Sequence, residues 1–221
     1  MKFLQYILIC LLPLAVVSSC VKNEWEDVSR PTLWTPDRYV ESLDMDFNSV
    51  SMTDGQYLSL PAGWLNVGAN GTHRAFQTSI MGSNYQNSES PGVRSTQATA
   101  YLALGNVDAW LVTPPLKAAG AANATFSYSL YSAYQGSSTF QVLCYSTHSS
   151  KKTVPPLNEA SWKLIEGYNP TGYTSSFVSK QFNLSTQLNA GDDVLYVAFR
   201  YSKQYGSDAN TWYVDDIKYN K

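Results

Sequence analysis

Two adjacent aspartates, Asp215 and Asp216, lie near the end of the chain in the segment NTWYVDDIKYNK. The Trp, Tyr and Val residues around them favour a β-strand. Neighbouring side chains of a strand point to opposite faces, so one carboxylate should point toward the interior or the sheet rim unless strand pairing is interrupted. Because a buried charge is costly when it is alone, we expect one of the pair to have a partner.

Catalytic motifs are scarce. The two histidines, His73 and His148, lie in no H-E-x-x-H arrangement, and the sequence holds no G-x-S-x-G or phosphate-loop motif. A Ser-His-Asp triad needs no proximity in sequence, and a carboxylate pair for glycoside hydrolysis can converge from distant positions. Both alternatives stay open, but no residues are nominated for either. We therefore predict a protein that is not an enzyme.

Aromatic residues offer a different chemistry, since 6 Trp and 16 Tyr are many for 221 residues. Sugar rings stack on exposed aromatic planes through apolar and electrostatic contacts. Tyr134 and Tyr205 adjoin Gly-Ser turns, and with Trp162 they are the predicted ligand-binding residues. Most aromatic residues of a β-sandwich are instead core or cross-strand partners. A core position is favoured for three tryptophans, Trp64, Trp110 and Trp212.

The first residues, MKFLQYILICLLPLAVVSSC, contain one lysine, an apolar run and then small residues before Cys20. This order is typical of a secretory signal peptide, and the run is too short and too interrupted for a membrane span. Its end resembles the lipobox of bacterial lipoproteins, in which the cysteine is diacylated and becomes the first residue of the mature chain. We predict a signal peptide over 1–19 and lipidation of Cys20. The alternative is an ordinary signal peptide with a chance cysteine.

Residues 20–40 are predicted to form the lipidated cysteine and a flexible tether, because they contain two prolines and no sustained hydrophobic period. Two acyl chains are sufficient for stable anchoring. Glu24, Glu26 and Asp27 resemble the acidic export signal of Bacteroidetes-type surface lipoproteins, although a solvated acidic linker has the same composition. The predicted location is the outer membrane, lipid-anchored and exposed at the cell surface. The periplasmic face of that membrane is the alternative location.

Charge and cysteine content bear on two further properties, nucleic-acid binding and disulfide formation. With 15 basic and 17 acidic residues, the chain shows no basic patch that would indicate a nucleic-acid partner. Cys10 would leave with the signal peptide and Cys20 would carry lipid, so Cys144 has no partner for an intramolecular disulfide. The fold must therefore be stabilised by a hydrophobic core.

Beyond the tether, short runs of alternating apolar residues recur, such as ATFSYSLYS, TFQVLCYST and VLYVAFRYS. Turn clusters such as TDG, YQGSS and YGSDAN separate them. This succession of short apolar runs and turn clusters predicts an all-β sandwich or barrel in a single domain over 41–221. Only LNEASWKLIEG indicates one or two turns of helix.

The landmarks of this domain also occur in a known order. They are Asp46-Phe47, the pair Gly63-Trp64, and the segments AWLVTPPL, ATFSYSLYS, LYVAFRYS and WYVDDIKY. Together they resemble the choice-of-anchor J and cleaved-adhesin group of domains, which are similar to MAM domains, over residues 43 to 221. The resemblance implies a jelly-roll β-sandwich of two antiparallel sheets. NVGANGTHR stands where adhesin members often carry an Asp-Gly-Asp-Gly loop, so a calcium site on that loop is not implied.

The resemblance further implies that the first and last strands lie near each other. Carboxylates from both strands can then hold a structural Ca²⁺, which prefers hard oxygen ligands. Asp46 and Asp216 are the predicted ligands, with Asp44, Asn48 and Asp215 in reserve. The alternative is that these aspartates accept hydrogen bonds from backbone N–H groups or Arg, with no metal.

These expectations combine into a lipid-anchored, non-catalytic jelly-roll domain that binds a glycan or another surface macromolecule through its loops. A structural or assembly subunit of a cell-surface complex or adhesin is the alternative. An accessory domain of a secreted hydrolase is the third hypothesis.

Overall fold

The computed structural model describes residues 39–48, 60–70, 75–79, 95–100, 103–120, 123–134, 136–151, 154–168 and 176–221. The predicted signal peptide, Cys20, the tether up to residue 38 and His73 lie outside these residues. Within the described ranges, no helix is both long and apolar enough to cross a membrane.

The described residues form two sheets of six strands each. Every pairing between these strands is antiparallel, which confirms the predicted two-layer β-sandwich. The strands are β1 (Ser42–Met45), β2 (Leu65–Gly68), β3 (Gln77–Ser79), β4 (Ser95–Thr99), β5 (Val107–Val112), β6 (Leu116–Lys117), β7 (Thr125–Ala133), β8 (Thr139–Thr147), β9 (Lys163–Tyr168), β10 (Val178–Asn183), β11 (Val194–Lys203) and β12 (Thr211–Asn220).

The first sheet has the order β10-β7-β12-β4-β3, and β1 pairs with β12 outside this path. The second sheet has the order β2-β5-β11-β8-β9, and β6 pairs with β11. Short 3-10 helices occur at Ser149–Lys151, Glu159–Ser161 and Leu184–Gln187. The second of these is the helical turn predicted in LNEASWKLIEG, and the Asn158 side chain caps it by accepting a hydrogen bond from the Ala160 N–H.

The main core lies between the sheets. Alternation along β11 places Phe199 and Tyr201 inward, and β12 contributes Trp212 in the same way. The rings of Trp212 and Phe140 stack at 5.1 Å with an interplanar angle of 21°, which joins the two sheets through aromatic contact. Trp64, Trp110 and Trp212 are all buried, as the sequence predicted.

A second cluster covers part of the outer face of the second sheet. Trp110 and Tyr196 point away from the main core and pack with Leu65, Leu143 and Trp162. Consequently all six residues of β5 are buried, and the four that follow Asp108, AWLV, are all apolar. The indole N–H of Trp162 donates to the Pro156 carbonyl at 2.6 Å, so the segment before β9 is held against this face.

The paired aspartates mark a break in the ladder between β12 and β7. Asp215 pairs with Ser129, but the next paired position is Lys218 with Ser127, so the register shifts between them. Asp216 has a φ of 48°, in the left-handed region. An extra residue of this kind is a β-bulge, which changes the phase of the strand.

The change of phase explains which side chains are buried. Before the bulge Trp212 and Val214 enter the core, and after it Ile217 and Tyr219 do so. Asp215 is 3% exposed, and its Oδ1 accepts a hydrogen bond from the Asp216 N–H at 2.8 Å. The strand pattern of the sequence called for an interruption in pairing or a partner for a buried carboxylate, and the structure shows both at Asp215 and Asp216.

Candidate binding cleft at the loop end of the sandwich

A cleft of about 490 Å³ opens at one end of the sandwich. It lies where β5 begins and β11 ends, at paired positions of adjacent antiparallel strands. Polar side chains dominate its lining, which consists of Ala69, Asn70, Asn106, Val107, Asp108, Ser137, Thr139, Arg200, Ser202, Lys203, Gln204 and Ser207. We call this the loop-end cleft.

The loops around the cleft are tied to one another. The Ser137 N–H and hydroxyl both donate to the Asp208 carbonyl, at 3.0 and 3.3 Å, which joins the β7–β8 turn to the β11–β12 turn. At Gly136 an added Cβ would lie 2.4 Å from the backbone nitrogen of Asn210, so this close approach requires glycine. The Tyr205 N–H donates to Asn106 Oδ1 at 2.8 Å. These contacts give the cleft a fixed backbone frame.

Arg200 lines the cleft, and each nitrogen of its guanidinium donates a hydrogen bond. Arg200 Nε donates to Asp108 Oδ1 at 2.7 Å, and Nη2 donates to Oδ2 at 3.3 Å. Its Nη1 donates to Gln141 Oε1 at 2.9 Å and also to a Glu159 carboxylate oxygen. The Arg200 Cζ lies 5.2 Å from the centre of the Trp110 ring. This bidentate and stacked geometry suits arginine and not lysine.

The pKa shifts of Arg200 and Glu159 both favour the charged form. Burial alone would lower the pKa of Arg200, but its hydrogen bonds with Asp108 and the charges of Asp108 and Glu159 outweigh burial and raise it. The hydrogen bond from Gln141 lowers the pKa of Glu159, burial opposes this in part, and the charge of Arg200 lowers it further. Arg200 is therefore a permanent cation whose hydrogen bonds connect β11 with β5 and β8.

The other lining groups are mostly amides and hydroxyls. Such side chains donate and accept hydrogen bonds at once, which matches the hydroxyl groups of a sugar. Asn70 Nδ2 already donates to Asp108 Oδ2 at 2.5 Å, which orients this amide at the cleft wall. Because both Asp108 oxygens accept hydrogen bonds from protein groups, this carboxylate is held in place.

Two of the sequence-predicted binding residues lie at this end of the molecule. Tyr205 is 67% exposed and directly follows the lining residue Gln204. Tyr134 is 70% exposed, directly follows β7, and has a φ of 65°, which holds it in a turn. The fold therefore places both rings on the turns that border the cleft.

Trp162 requires a correction. It is 7% exposed, and its ring centre lies 5.6 Å from the ring centres of both Trp110 and Tyr145. Its ring packs in the outer apolar cluster, so it provides no exposed surface for stacking. The sequence placed it beside a helical turn, but it did not show that the outer face of the second sheet is itself covered.

Sequence reasoning missed Arg200 and Asp108. A signal was present for each, since Arg200 is the one charged residue in VLYVAFRYS and Asp108 directly precedes the apolar AWLV. An isolated charge in an apolar strand needs a partner. The partner could not be identified, because the sequence does not show that β5 and β11 are adjacent.

The predicted calcium ligands lie at one end of the β1–β12 pair. Met45 pairs with Ile217, so Asp46, which follows β1, and Asp216 of β12 lie next to a paired position of the two strands. Asp46 is exposed, and its two oxygens accept hydrogen bonds from the Asn48 N–H and side-chain amide, both at 3.0 Å. The Oδ2 of Asp216 accepts a hydrogen bond from the Ser129 hydroxyl at 3.3 Å.

The reserve ligand Asp44 forms an ion pair with Lys218 at 3.7 Å. Across the described ranges, no group of three His, Cys, Asp or Glu side chains is arranged to hold a metal ion. The carboxylates fit Ca²⁺ in ligand type, but two residues supply fewer oxygens than the roughly 6–8 that it prefers. Hydrogen-bonded aspartates are what the structure shows, and calcium binding stays a prediction.

His148 lies at the end of β8 remote from the cleft. Its Nδ1 lies 2.7 Å from the Ser150 hydroxyl, within one turn of chain. The Asp193 carboxylate accepts hydrogen bonds from the Ser149 N–H and hydroxyl, each at 2.6 Å. Burial raises the pKa of Asp193, but these two hydrogen bonds outweigh it and lower the pKa overall. The group caps the 3-10 helix at Ser149–Lys151.

No family model matches this chain, and no curated protein matches its sequence. Solved structures do share its fold. The K2 cleaved adhesin domain of Lys-gingipain is 19% identical with a TM-score of 0.51, and the match covers 81% of this chain and 99% of that domain. The K1 domain from Porphyromonas gingivalis W83 is 16% identical with the same TM-score, over 81% of this chain and 97% of that domain.

A family 11 carbohydrate-binding module from Clostridium thermocellum, solved with a mixed-linked tetrasaccharide, is also similar. It is 12% identical with a TM-score of 0.40, over 83% of this chain and 97% of that module. At these identities the likeness to the adhesin domains shows a shared β-sandwich fold and nothing about the ligand.

Proposed function

We propose that this protein is a non-catalytic display domain that binds a glycan in the loop-end cleft. One observation carries the proposal: a cleft of about 490 Å³ is lined mainly by amides and hydroxyls, and the exposed residue Tyr205 directly follows the lining residue Gln204. Small-molecule sites are typically concave and of this size. The ties between its loops reduce the ordering cost of binding.

The proposal includes the predicted location. Acyl chains on Cys20 would hold the protein at the outer membrane, and residues 21–40 would act as the tether. A tether of about 20 residues extends at most about 60–70 Å, which is enough to clear the lipid headgroups. The domain would then present its loops outward at the cell surface.

The arrangement of carboxylates supports binding without catalysis. Among the described residues that line the cleft, Asp108 is the one acidic residue, and Arg200 and Asn70 hold both of its oxygens. Glycoside hydrolysis requires two carboxyl groups that face each other across the bond to be cleaved. The lining described here does not provide such a pair.

Binding to a broad glycan array by the full-length chain tests the proposal. Tyr205→Ala should weaken the binding of any glycan found by at least about tenfold, because it removes the stacking ring. Tyr205→Phe keeps the ring and should retain most of the affinity. The absence of binding across the array, or equal affinity for Tyr205→Ala and the natural protein, would remove the glycan site.

Assembly into a surface complex is the second candidate function, and the edge strands favour it. β9 and β10 form edges of opposite sheets, and Lys180 of β10 lies 5.4 Å from the Tyr168 ring of β9. Leu164 and Val178 on these strands are 53% and 41% exposed. Exposed apolar edges can pair with another chain. Concentration-dependent association in analytical ultracentrifugation, abolished by Leu164→Lys and Val178→Lys together, would support this role.

A further inference from the structure

Lys203 is a largely buried residue whose ammonium group has no partner among the residues that the structure describes. It is the last residue of β11, it lines the loop-end cleft, and it is 9% exposed. Among the residues that the structure describes, no ion pair or hydrogen bond involves its ammonium group. Lysine is seldom buried to this extent without a partner.

The other charged groups of the cleft do not serve Lys203. Asp108 is the acidic residue of the lining, and Arg200 engages both of its oxygens, at 2.7 and 3.3 Å. Glu159 approaches Arg200 from outside the lining and bonds to Gln141 at 2.7 Å. Arg200 and Asp108 neutralise each other, so Lys203 is the surplus charge among the described lining residues.

Because no described carboxylate of the lining neutralises Lys203, an incoming anion would meet an unopposed positive charge in the cleft. Water and salt also screen a site inside a cleft less than one on an open surface. A negatively charged ligand group therefore gains more at Lys203 than it would at an exposed lysine. Neutral hydroxyls would bind to the amides around it.

We infer that the loop-end cleft selects an acidic glycan, one whose carboxylate or sulfate group pairs with Lys203. This inference rests on the proposed glycan-binding function and names the ligand class for that site. The anionic group lies at the end of β11, and the sugar rings extend toward Tyr205.

Two matched pairs of glycans test the inference in the full-length chain by titration calorimetry. The carboxylate pair is oligogalacturonate and its methyl ester, and the sulfate pair is keratan sulfate and its desulfated form. We expect one acidic member to bind at least about tenfold more tightly than its neutral counterpart. The pair that shows this difference identifies the anionic group.

The variant Lys203→Met should remove that preference and leave the weaker affinity for the neutral member unchanged. Lys151→Met is the matched control, because Lys151 is an exposed lysine beyond the opposite end of β8, and it should keep the preference. Both variants change the net charge equally, so a general electrostatic effect would appear in both. Loss of the preference in both variants would overturn the pairing with Lys203.

The outcomes separate the two proposals. Equal binding of acidic and neutral members, unaffected by Lys203→Met, would overturn the acidic preference while glycan binding stands. No binding of any of the four glycans overturns the acidic preference, and a negative array in addition overturns glycan binding. Thermal unfolding gives an independent check, because removing a cation that has no counter-charge should leave the midpoint of Lys203→Met equal to or above that of the natural protein. A markedly lower midpoint would show that the ammonium has a structural partner.

Discussion

At the residue scale, the phase of β12 depends on Asp216. This residue is the bulge, and its positive φ lets the core residues change from Trp212 and Val214 to Ile217 and Tyr219. Short polar side chains such as Asp adopt the left-handed region more readily than most residues. The sequence DD therefore serves a geometric purpose, and the carboxylates satisfy local hydrogen bonds.

The bulge predicts a difference between two substitutions. Asp216→Gly should leave the free energy of unfolding nearly unchanged, because glycine adopts positive φ freely. Asp216→Val should lower it by about 1–3 kcal/mol, because a β-branched residue is strained there. Urea unfolding of both variants checks this. Equal losses would show that the Asp216 side chain matters and its backbone conformation does not.

Calcium binding at Asp46 and Asp216 makes its own prediction. By linkage, the thermal midpoint should rise on adding Ca²⁺ and fall on adding a chelator. Asp46→Asn and Asp216→Asn together should abolish the difference. If the natural protein melts at the same temperature in both conditions, the aspartates have only the hydrogen-bonding role that the structure shows.

Glu159 predicts a pH dependence. Its hydrogen bond from Gln141 and its ion pair with Arg200 lower its pKa below the ordinary value of 4.5. A lowered folded-state pKa means that the stabilisation is present above pH 4.5 and is lost as the pH falls through the folded-state value. Between about pH 5 and 3, Glu159→Gln should therefore lose less stability than the natural protein. Parallel losses in urea unfolding across this range would contradict the prediction.

At the element scale, β12 joins the two sheets through Trp212. Its ring stacks on Phe140 and lies 5.7 Å from the Tyr168 ring. Trp212→Ala should lower the free energy of unfolding by about 3–5 kcal/mol, since it leaves a cavity between the layers. Trp212→Phe keeps an aromatic contact and should cost less. Similar losses for the two variants in urea unfolding would show that stacking contributes little.

The strands themselves were predictable, because alternation and turn clusters are local features of the sequence. The buried tryptophans followed from the same pattern. The outer cluster around Trp110 did not, since it depends on a distant segment folding back over β5. For the same reason the sequence predicts Trp162 at a binding surface, although that segment buries it.

The residues of the candidate site also fall into those that the sequence predicts and those that it does not. Tyr134 and Tyr205 were found from local turn signals, because exposure follows from the neighbouring Gly and Ser residues. Arg200, Asp108 and Lys203 come together only through the pairing of β5 with β11. Register between strands far apart in sequence is a tertiary property, and a single sequence does not encode it in a readable pattern.

At the scale of the whole molecule, the sandwich acts as a rigid support with distinct ends. One end carries the loop-end cleft with Tyr134 and Tyr205 nearby, and the other carries the capped turn at Ser149–Lys151. Sites built on loops that a rigid scaffold positions are common in β-sandwiches. The fold is shared with the cleaved adhesin domains of Lys-gingipain, and the ligand proposed for this chain is argued from the residues of the cleft and not from the fold.

Mapping the bound glycan on the folded protein by NMR tests the central claim most directly. On titration with a glycan selected from the array, the largest backbone amide shifts should fall on Asn70, Asn106, Ser202, Gln204 and Ser207, around the loop-end cleft. Shifts confined to the edge strands β9 and β10, with the cleft unchanged, would contradict the account.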